Sequence, residues 1–299
     1  MSGALLDIRK KISSVQNTRK ITKAMQLVAA SKMRQFQRRA VSSRRYVHDL
    51  LKVLESNLKS DSGSVFTGER KSGKTLFVIY TSDKGLCGPL NTKLLNGLFR
   101  SKEWKDLPEE ERLLMTIGKK SLDFARNRNI PIAKHFVGIP EKLSFFDAVK
   151  VIDSILHFWE VSKVKEVYFI APHYKNSFTF YPVMKSFLPF NDKTIESAIG
   201  HLEDHERPKR AKKSDDFMLF EPTQERVIEQ LHKQLIQAIF IESFLELKAS
   251  EYSSRMIAMQ SATDAATRIT NDLTRDYNKA RQQAITNEIA ELMGASEIL

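Results

Sequence analysis

Residues 68–75 read GERKSGKT, and Gly68, Gly73, Lys74 and Thr75 fill every specified position of the phosphate-loop pattern G-x-x-x-x-G-K-[ST]. That chemistry needs a strand entering the loop and a helix leaving it, so that backbone N–H groups and the helix N-terminus converge on phosphate oxygens. Here the order is reversed. A polar turn, SDSGS at residues 60–64, precedes the loop, and Leu76, Phe77, Val78, Ile79 and Tyr80 after it are β-branched and aromatic, a strand pattern. Asp83 mimics a magnesium-orienting carboxylate, but it follows Lys74 too closely for a helix and a second strand to fit between. The context favours a solvated basic linker over a nucleotide site.

Other chemistry-bearing clusters are short. His201 and His205, with Glu203 and Asp204 between them, have one-face helical spacing for a metal, but they lie in a charged, proline-containing stretch without a third ligand. The basic run RPKRAKK at 207–213 has no interleaved aromatics and reads as a soluble loop. In SDKGLCG, residues 82–88, Gly85 and Gly88 permit tight turns. Cys87 has no histidine near it in sequence, so a buried structural thiol is the better reading. As the single cysteine, it excludes an internal disulfide or a CxxC motif.

Two long helical patterns and a central alternation must position these residues. No Gly or Pro occurs between Gly3 and Gly63, and apolar residues recur at steps of three and four: Leu5, Ile8, Ile12 and Val15, then Ile21, Met25 and Val28, then Ala29, Met33, Phe36 and Ala40, then Val47, Leu51, Leu54 and Leu58. The stripe shifts phase near residues 16–20. A second helix begins near Pro222, read as a first-turn residue. Its stripe runs through Ile228, Leu231, Leu235, Ala238, Tyr252, Met256 and Met259, then Ala262, Ala266, Ile269, Leu273, Tyr277, Ala280 and Ala284. One amphipathic helix of this length cannot shield its own stripe, so the two chain ends are expected to pair as an antiparallel coiled coil. Between them, strands are expected at 76–81, 113–117, 167–171 and, less distinctly, 132–137. Helices are expected at 90–100, 119–128 and 145–161. Such alternation means a small α/β domain with a mostly parallel sheet. The expected division is 1–62 for the N-terminal helix, 75–200 for a Rossmann-like α/β domain, 201–216 for a charged exposed loop and 222–299 for the C-terminal helix.

The chain has 299 residues, 41% of them hydrophobic, and a formal net charge of +12. Such a charge calls for an acidic partner, whether nucleic acid, an anionic membrane surface or an acidic protein socket. No run of about 18 apolar residues exists to span a membrane. Arg255, Arg268, Arg275 and Arg281 share a helix with seam residues, which leaves its outer face to water or to a gripping partner.

Three blocks together resemble the gamma subunit of the F-type ATP synthase. They are ISSVQNTRKITKAM at 12–25, continuing to VAASK at 28–32; SDKGLCG at 82–88; and RMIAM at 255–259, extending through ATDA at 262–265, YNKARQ at 277–282 and ITNE at 285–288 to Gly294 and Ala295. The match spans both ends, and the centre is only loosely similar. The resemblance implies terminal helices in an antiparallel coiled coil around a small α/β domain. It implies a central rotor shaft inside a hexamer of alternating alpha and beta subunits, with the α/β domain forming a foot with the epsilon subunit on the membrane rotor c-ring. The shaft makes and breaks no bond. No catalytic residue, cofactor or metal is implied, and nucleic acid is not a partner. The +12 charge would face acidic loops of the beta subunits.

By motif position the resemblance assigns Arg281 and Gln282 to polar contact with a beta-subunit loop, Met25 and Arg255 to coupling, and Thr286 and Glu288 to polar positions near the shaft's upper end. Glu221 belongs to a segment similar to the foot near the ring. Pro89 replaces a usual glycine, Gln283 a frequent alanine and Ala290 a common hydroxyl residue. Without cysteines, residues 201–216 cannot be the thiol switch of chloroplast members. The first block begins at Ile12 without a leader before it, so a bacterial protein on the cytoplasmic face of the inner membrane is expected. Two alternatives stand beside this reading: an ATPase using residues 68–75, and a basic coiled-coil protein that binds nucleic acid.

Overall fold

The computed structural model describes residues 3–57, 66–162, 164–176, 179–190, 194 and 221–296. The charged stretch 201–216, with His201, His205 and the basic run, lies outside the described residues, as does Leu58. In chain order the elements are α1 (Gly3–Asn57), β1 (Thr75–Tyr80), α2 (Leu90–Phe99), α3 (Lys102–Lys105), a 3-10 turn (Glu109–Glu111), β2 (Arg112–Ile117), α4 (Lys119–Asn127), β3 (Lys134–Phe136), α5 (Phe145–Glu160), β4 (Glu166–Asn176), β5 (Thr179–Leu188) and α6 (Gln224–Ser296). Compactness divides the chain into two units, residues 1–31 with 255–299, and residues 32–254.

In the first unit the two terminal helices run antiparallel. The Thr22 and Thr263 hydroxyls share a 2.8 Å hydrogen bond, and four residues further up α1 the Gln26 amide donates to Gln260, three residues further down α6. The seam is therefore partly polar, which corrects the expected stripe. Ile21 and Val28 are exposed, as is Ile269, whereas Ala29, Met259, Thr263, Ala266 and Thr270 are buried. Threonines fit the seam because each hydroxyl satisfies itself on its own helix. Thr263 and Thr270 both donate to the carbonyl four residues back, at 2.8 Å, as do the half-buried Thr267 and the exposed Thr274 further along the same helix.

The second unit is built on a five-stranded sheet in the order β3-β2-β1-β4-β5. The pairs β1–β2, β1–β4 and β2–β3 are parallel, and β4–β5 is antiparallel. β1 is buried along its whole length, as a central parallel strand covered on both faces must be. On one face Phe77 and Ile79 pack with Leu95 and Leu98 of α2, Trp104 of α3, and Ala125 of α4. On the other, Tyr80 stacks on Phe240 and lies 5.8 Å from Phe244, while Phe169 meets Phe187 and Phe240. β5 is absent from the sequence expectation, because Pro182 and Lys185 interrupt its apolar pattern. Proline is tolerated because β5 is an edge strand, and Gly97 of α2 accommodates it: a Cβ there would stand 2.9 Å from that of Pro182.

Local chemistry places the ends of these elements. Ser144 and Asp147 form a reciprocal capping box that starts α5. The Thr223 hydroxyl accepts from the Arg226 N–H at the start of α6, so Thr223 is the cap and Pro222 stands outside the helix rather than in its first turn.

Candidate functional site

The phosphate-loop match is settled by what its residues touch. Lys74 is exposed, and its carbonyl accepts from the Lys165 N–H at 2.8 Å as the chain enters β1. The Arg70 guanidinium donates to the carbonyls of Trp159 and Val164 and lies 4.2 Å from the Trp159 ring centroid. Residues 68–75 thus tie the entry of β1 to the end of α5, and no helix N-terminus follows them. Asp83 has a structural task too: its Oδ1 accepts from the N–H groups of Lys119 and Gly138, holding the start of α4.

Open α/β sheets bind ligands at the carboxyl ends of the strands where the strand order reverses. Here the reversal lies between β1 and β4, and the loop after β1 is residues 82–88. That loop is closed on itself. The Asn91 amide donates to the Ser82 hydroxyl at 2.8 Å and to the Cys87 sulfur at 3.2 Å, while Asn91 Oδ1 accepts from the Ser82 N–H. Ser254 of α6 donates to the Cys87 carbonyl at 2.5 Å. Burial, with the Asp83 and Glu251 charges nearby, pushes the Tyr80 hydroxyl well above its usual range, so it stays neutral. The protein's own C-terminal helix stands where a ligand would sit. Cys87 is buried, as a structural thiol should be. Among the described residues no His, Cys, Asp or Glu group is arranged to hold a metal ion.

Charge is instead concentrated where the helices meet the sheet. Arg44 of α1 donates to Glu246 of α6 at 2.6 Å and lies 3.6 Å from Glu242, one turn away. His173 of β4 stands 3.2 Å from the same Glu246 carboxylate. Lys185 of β5 is buried, and its charge acts on both carboxylates. Burial pushes Glu246 up, but the hydrogen bond from His173 and the charges of Lys185, His173 and Arg44 outweigh it and take the carboxyl down to about 2. Glu242 moves the other way, raised by burial and by Glu246 against the pull of Lys185, Arg44 and His173.

A second polar junction joins Lys32, Glu141 and Tyr252. The ammonium and the hydroxyl both reach the Glu141 carboxylate, and they hold it below its ordinary value against the desolvation that would raise it. Neither junction is visible to sequence reading. The one local signal is a pair of glutamates four residues apart in IFIESFLEL, residues 239–247, whose only other polar side chain is Ser243.

The residues assigned to coupling are distributed as follows. Met25 is half-buried and Arg255 is buried at 8% exposure, both in the paired-helix unit. Arg281, Gln282, Thr286 and Glu288 are exposed and close together on α6, where the Thr286 hydroxyl donates to the Gln282 carbonyl. Leu273, Tyr277, Ala280 and Ala284 on the same helix are half-buried, which leaves the polar set facing outward. Glu221 is exposed just before the α6 cap and belongs to the other unit.

These features define a class of chain that pairs its two ends as helices and builds an α/β sheet whose ligand crevice it fills itself. Residues 4–299 match the family model described as ATP synthase. The chain is 32% identical to the ATP synthase gamma chain of Brevibacillus brevis over 99% of both chains, and 34% identical to that of Polaromonas naphthalenivorans over 97% of both. It belongs to the ATP synthase gamma-chain family. Its fold is that of solved rotor structures. One is the Euglena gracilis mitochondrial ATP synthase (OSCP/F1/c-ring, rotational state 3), with TM-score 0.64, 17% identity, and coverage of 98% of this chain and 93% of that one. Another is the Tetrahymena thermophila central stalk and c-ring, with TM-score 0.58, 23% identity, and coverage of 81% and 99%.

Proposed function

We propose that this chain is the central rotor shaft of an F-type ATP synthase and that it couples ion-driven rotation of a membrane ring to ATP synthesis or hydrolysis in beta subunits. The carrying observation is the gamma-chain kinship over the whole chain length. The filled crevice and the reversed order around residues 68–75 agree with a subunit that carries no nucleotide chemistry of its own. Coupling then works by differential contact, since each orientation of the shaft favours a different conformation of each beta subunit. The partners in this reading are the alpha and beta subunits, the epsilon subunit and the rotor ring. The chain sits peripherally on the cytoplasmic face of a bacterial inner membrane. No helix among the described residues is long and apolar enough to cross a membrane, so attachment runs through the complex.

Met25, Arg255, Arg281, Gln282, Thr286 and Glu288 are the contacts that sense or impose the state of the beta subunits, and Glu221 lies toward the ring. Copurification tests the assignment: the tagged chain, drawn from gently solubilised membranes, brings alpha and beta subunits with it, and its recovery alone or with nucleic acid would overturn the reading. Joint replacement of Arg281 and Gln282 by alanine tests the contact. An ordinary surface change shifts stability by about 0.5 kcal/mol or less. Hydrogen bonds to a charged partner contribute roughly 1.5–3 kcal/mol each, enough for a tenfold rate change if felt mainly at the barrier. Assembly is expected to be normal, with synthesis and hydrolysis per complex both reduced. Wild-type turnover in both directions removes these two residues from the mechanism.

Lys74→Ala is the control on the phosphate-loop alternative. An exposed lysine at a strand entry carries no phosphate contact, so assembly and ATP turnover per complex stay at wild-type level. A loss of hydrolysis in an intact complex would restore the nucleotide site.

A further inference from the structure

The charged and titratable groups at the helix–sheet junction come from four elements of one unit: half-buried Arg44 from α1, buried Glu242 and Glu246 from α6, half-buried His173 from β4 and buried Lys185 from β5. Stability alone does not explain their presence, because well-packed apolar residues of similar size often hold such a place as well or better. What ionic hydrogen bonds add is direction. Apolar contact between Tyr80 and Phe240 or Phe244 is roughly proportional to buried area and tolerates sliding. By contrast, the 2.6 Å bond from Arg44 to Glu246 and the 3.2 Å contact from His173 are both lost when α6 turns or moves by one residue, a rise of about 1.5 Å. A displaced Glu246 would remain buried without its partners, and the two carboxylates would repel with their cations out of reach.

The geometry points to a rotational key: Arg44 grips Glu242 and Glu246, His173 grips Glu246, and the charge of the buried Lys185 acts on both carboxylates, so that α1 and α6 cannot turn or slide against the sheet under load. These are positioning residues that touch no nucleotide. Their inferred role is to pass torque from the sheet to the helices without slip, and it rests on the shaft reading above. Glu246 is the centre of the key, since α1 and β4 both engage its carboxylate directly.

The test uses the assembled complex in inverted vesicles and two variants. His173→Gln keeps a donor beside Glu246 and leaves the Arg44 contacts in place. The second variant is an apolar set, Arg44→Met, His173→Phe, Lys185→Met, Glu242→Leu and Glu246→Leu, which removes every charge while preserving bulk. For each, ATP-driven ion uptake, assayed for both proton and sodium, is divided by ATP hydrolysed in the same sample, and the thermal midpoint of the complex is recorded. A merely structural cluster alters the midpoint and leaves the ratio alone. A key predicts a ratio lower by about twofold or more in the apolar set, where slip competes evenly with productive turning, and a smaller loss in His173→Gln. A wild-type ratio in either assembled variant overturns the proposal. Failure of the chain to copurify with alpha and beta subunits would instead overturn the shaft reading, a separate and distinguishable result.

Discussion

Glu246→Gln is expected to lower the unfolding free energy by ~3–5 kcal/mol near neutral pH, the usual cost of leaving buried charges without their partner. Glutamine keeps the volume and can still accept a hydrogen bond, so the loss is that of charge against Arg44 and Lys185. The pH dependence gives the result a signature. The folded carboxyl titrates at about 2, below its ordinary 4.5. Its stabilisation is therefore complete above about 4.5 and disappears as pH falls from there towards 2. Glu242 carries the opposite sign: a raised folded pKa means a contribution present at low pH that is lost as pH rises through that value. Urea unfolding of the full chain is expected to show a large cost for Glu246→Gln at pH 7 that shrinks at pH 3, and a much smaller cost for Glu242→Gln at pH 7. Equal costs at pH 7 would contradict the assignment of Glu246 as the centre of the cluster.

Gly118→Ala is expected to cost ~3 kcal/mol or more, through steric conflict at a backbone position that cannot retreat. Gly118 has φ +97°, and a Cβ there would stand 2.1 Å from the Thr81 carbonyl oxygen and 2.9 Å from the Thr81 hydroxyl. Relief would require moving the end of β1. That end is held by the Thr81 N–H on the Ile117 carbonyl, by the Gly118 N–H on the Phe136 carbonyl, and by Thr81 accepting from the Ser121 N–H. Two controls divide steric from conformational cost. Gly138 has φ +69° with nothing within 4 Å of an added methyl, so Gly138→Ala carries only the left-handed backbone penalty of about 1–2 kcal/mol. Gly68 has open space and no positive φ, so Gly68→Ala is near neutral. Thermal or urea unfolding should rank them Gly118, Gly138, Gly68, and a Gly118→Ala cost no greater than that of Gly138→Ala would remove the steric argument.

Much of this architecture follows from local pattern. β1, β2 and the first half of β4 are short apolar runs, α2, α4 and α5 lie between them, and each is found within two residues of its expected place, though β4 runs on five residues past its expected end to Asn176. The exclusion of a nucleotide site is equally legible, since it depends only on a strand following Lys74. The family can be read because its motif blocks stand at both chain ends in order.

Other features need the three-dimensional partner. Pro182 and Lys185 argue against a strand until β4 is there to pair with β5 and α2 to receive Pro182 at Gly97. Ile21 and Val28 look like seam residues by hydrophobicity, yet the facing surface of α6 presents Gln260 and Thr263, and Thr22 and Gln26 meet them instead. The charge cluster is the extreme case. Arg44, His173, Lys185, Glu242 and Glu246 are spread over some two hundred positions, and singly each reads as an ordinary polar residue. Periodicity reports which face of an element is apolar, because that is a property of the element alone. It cannot report which charges share a buried volume, because that depends on long-range packing in a medium where an unpaired charge is too costly to persist.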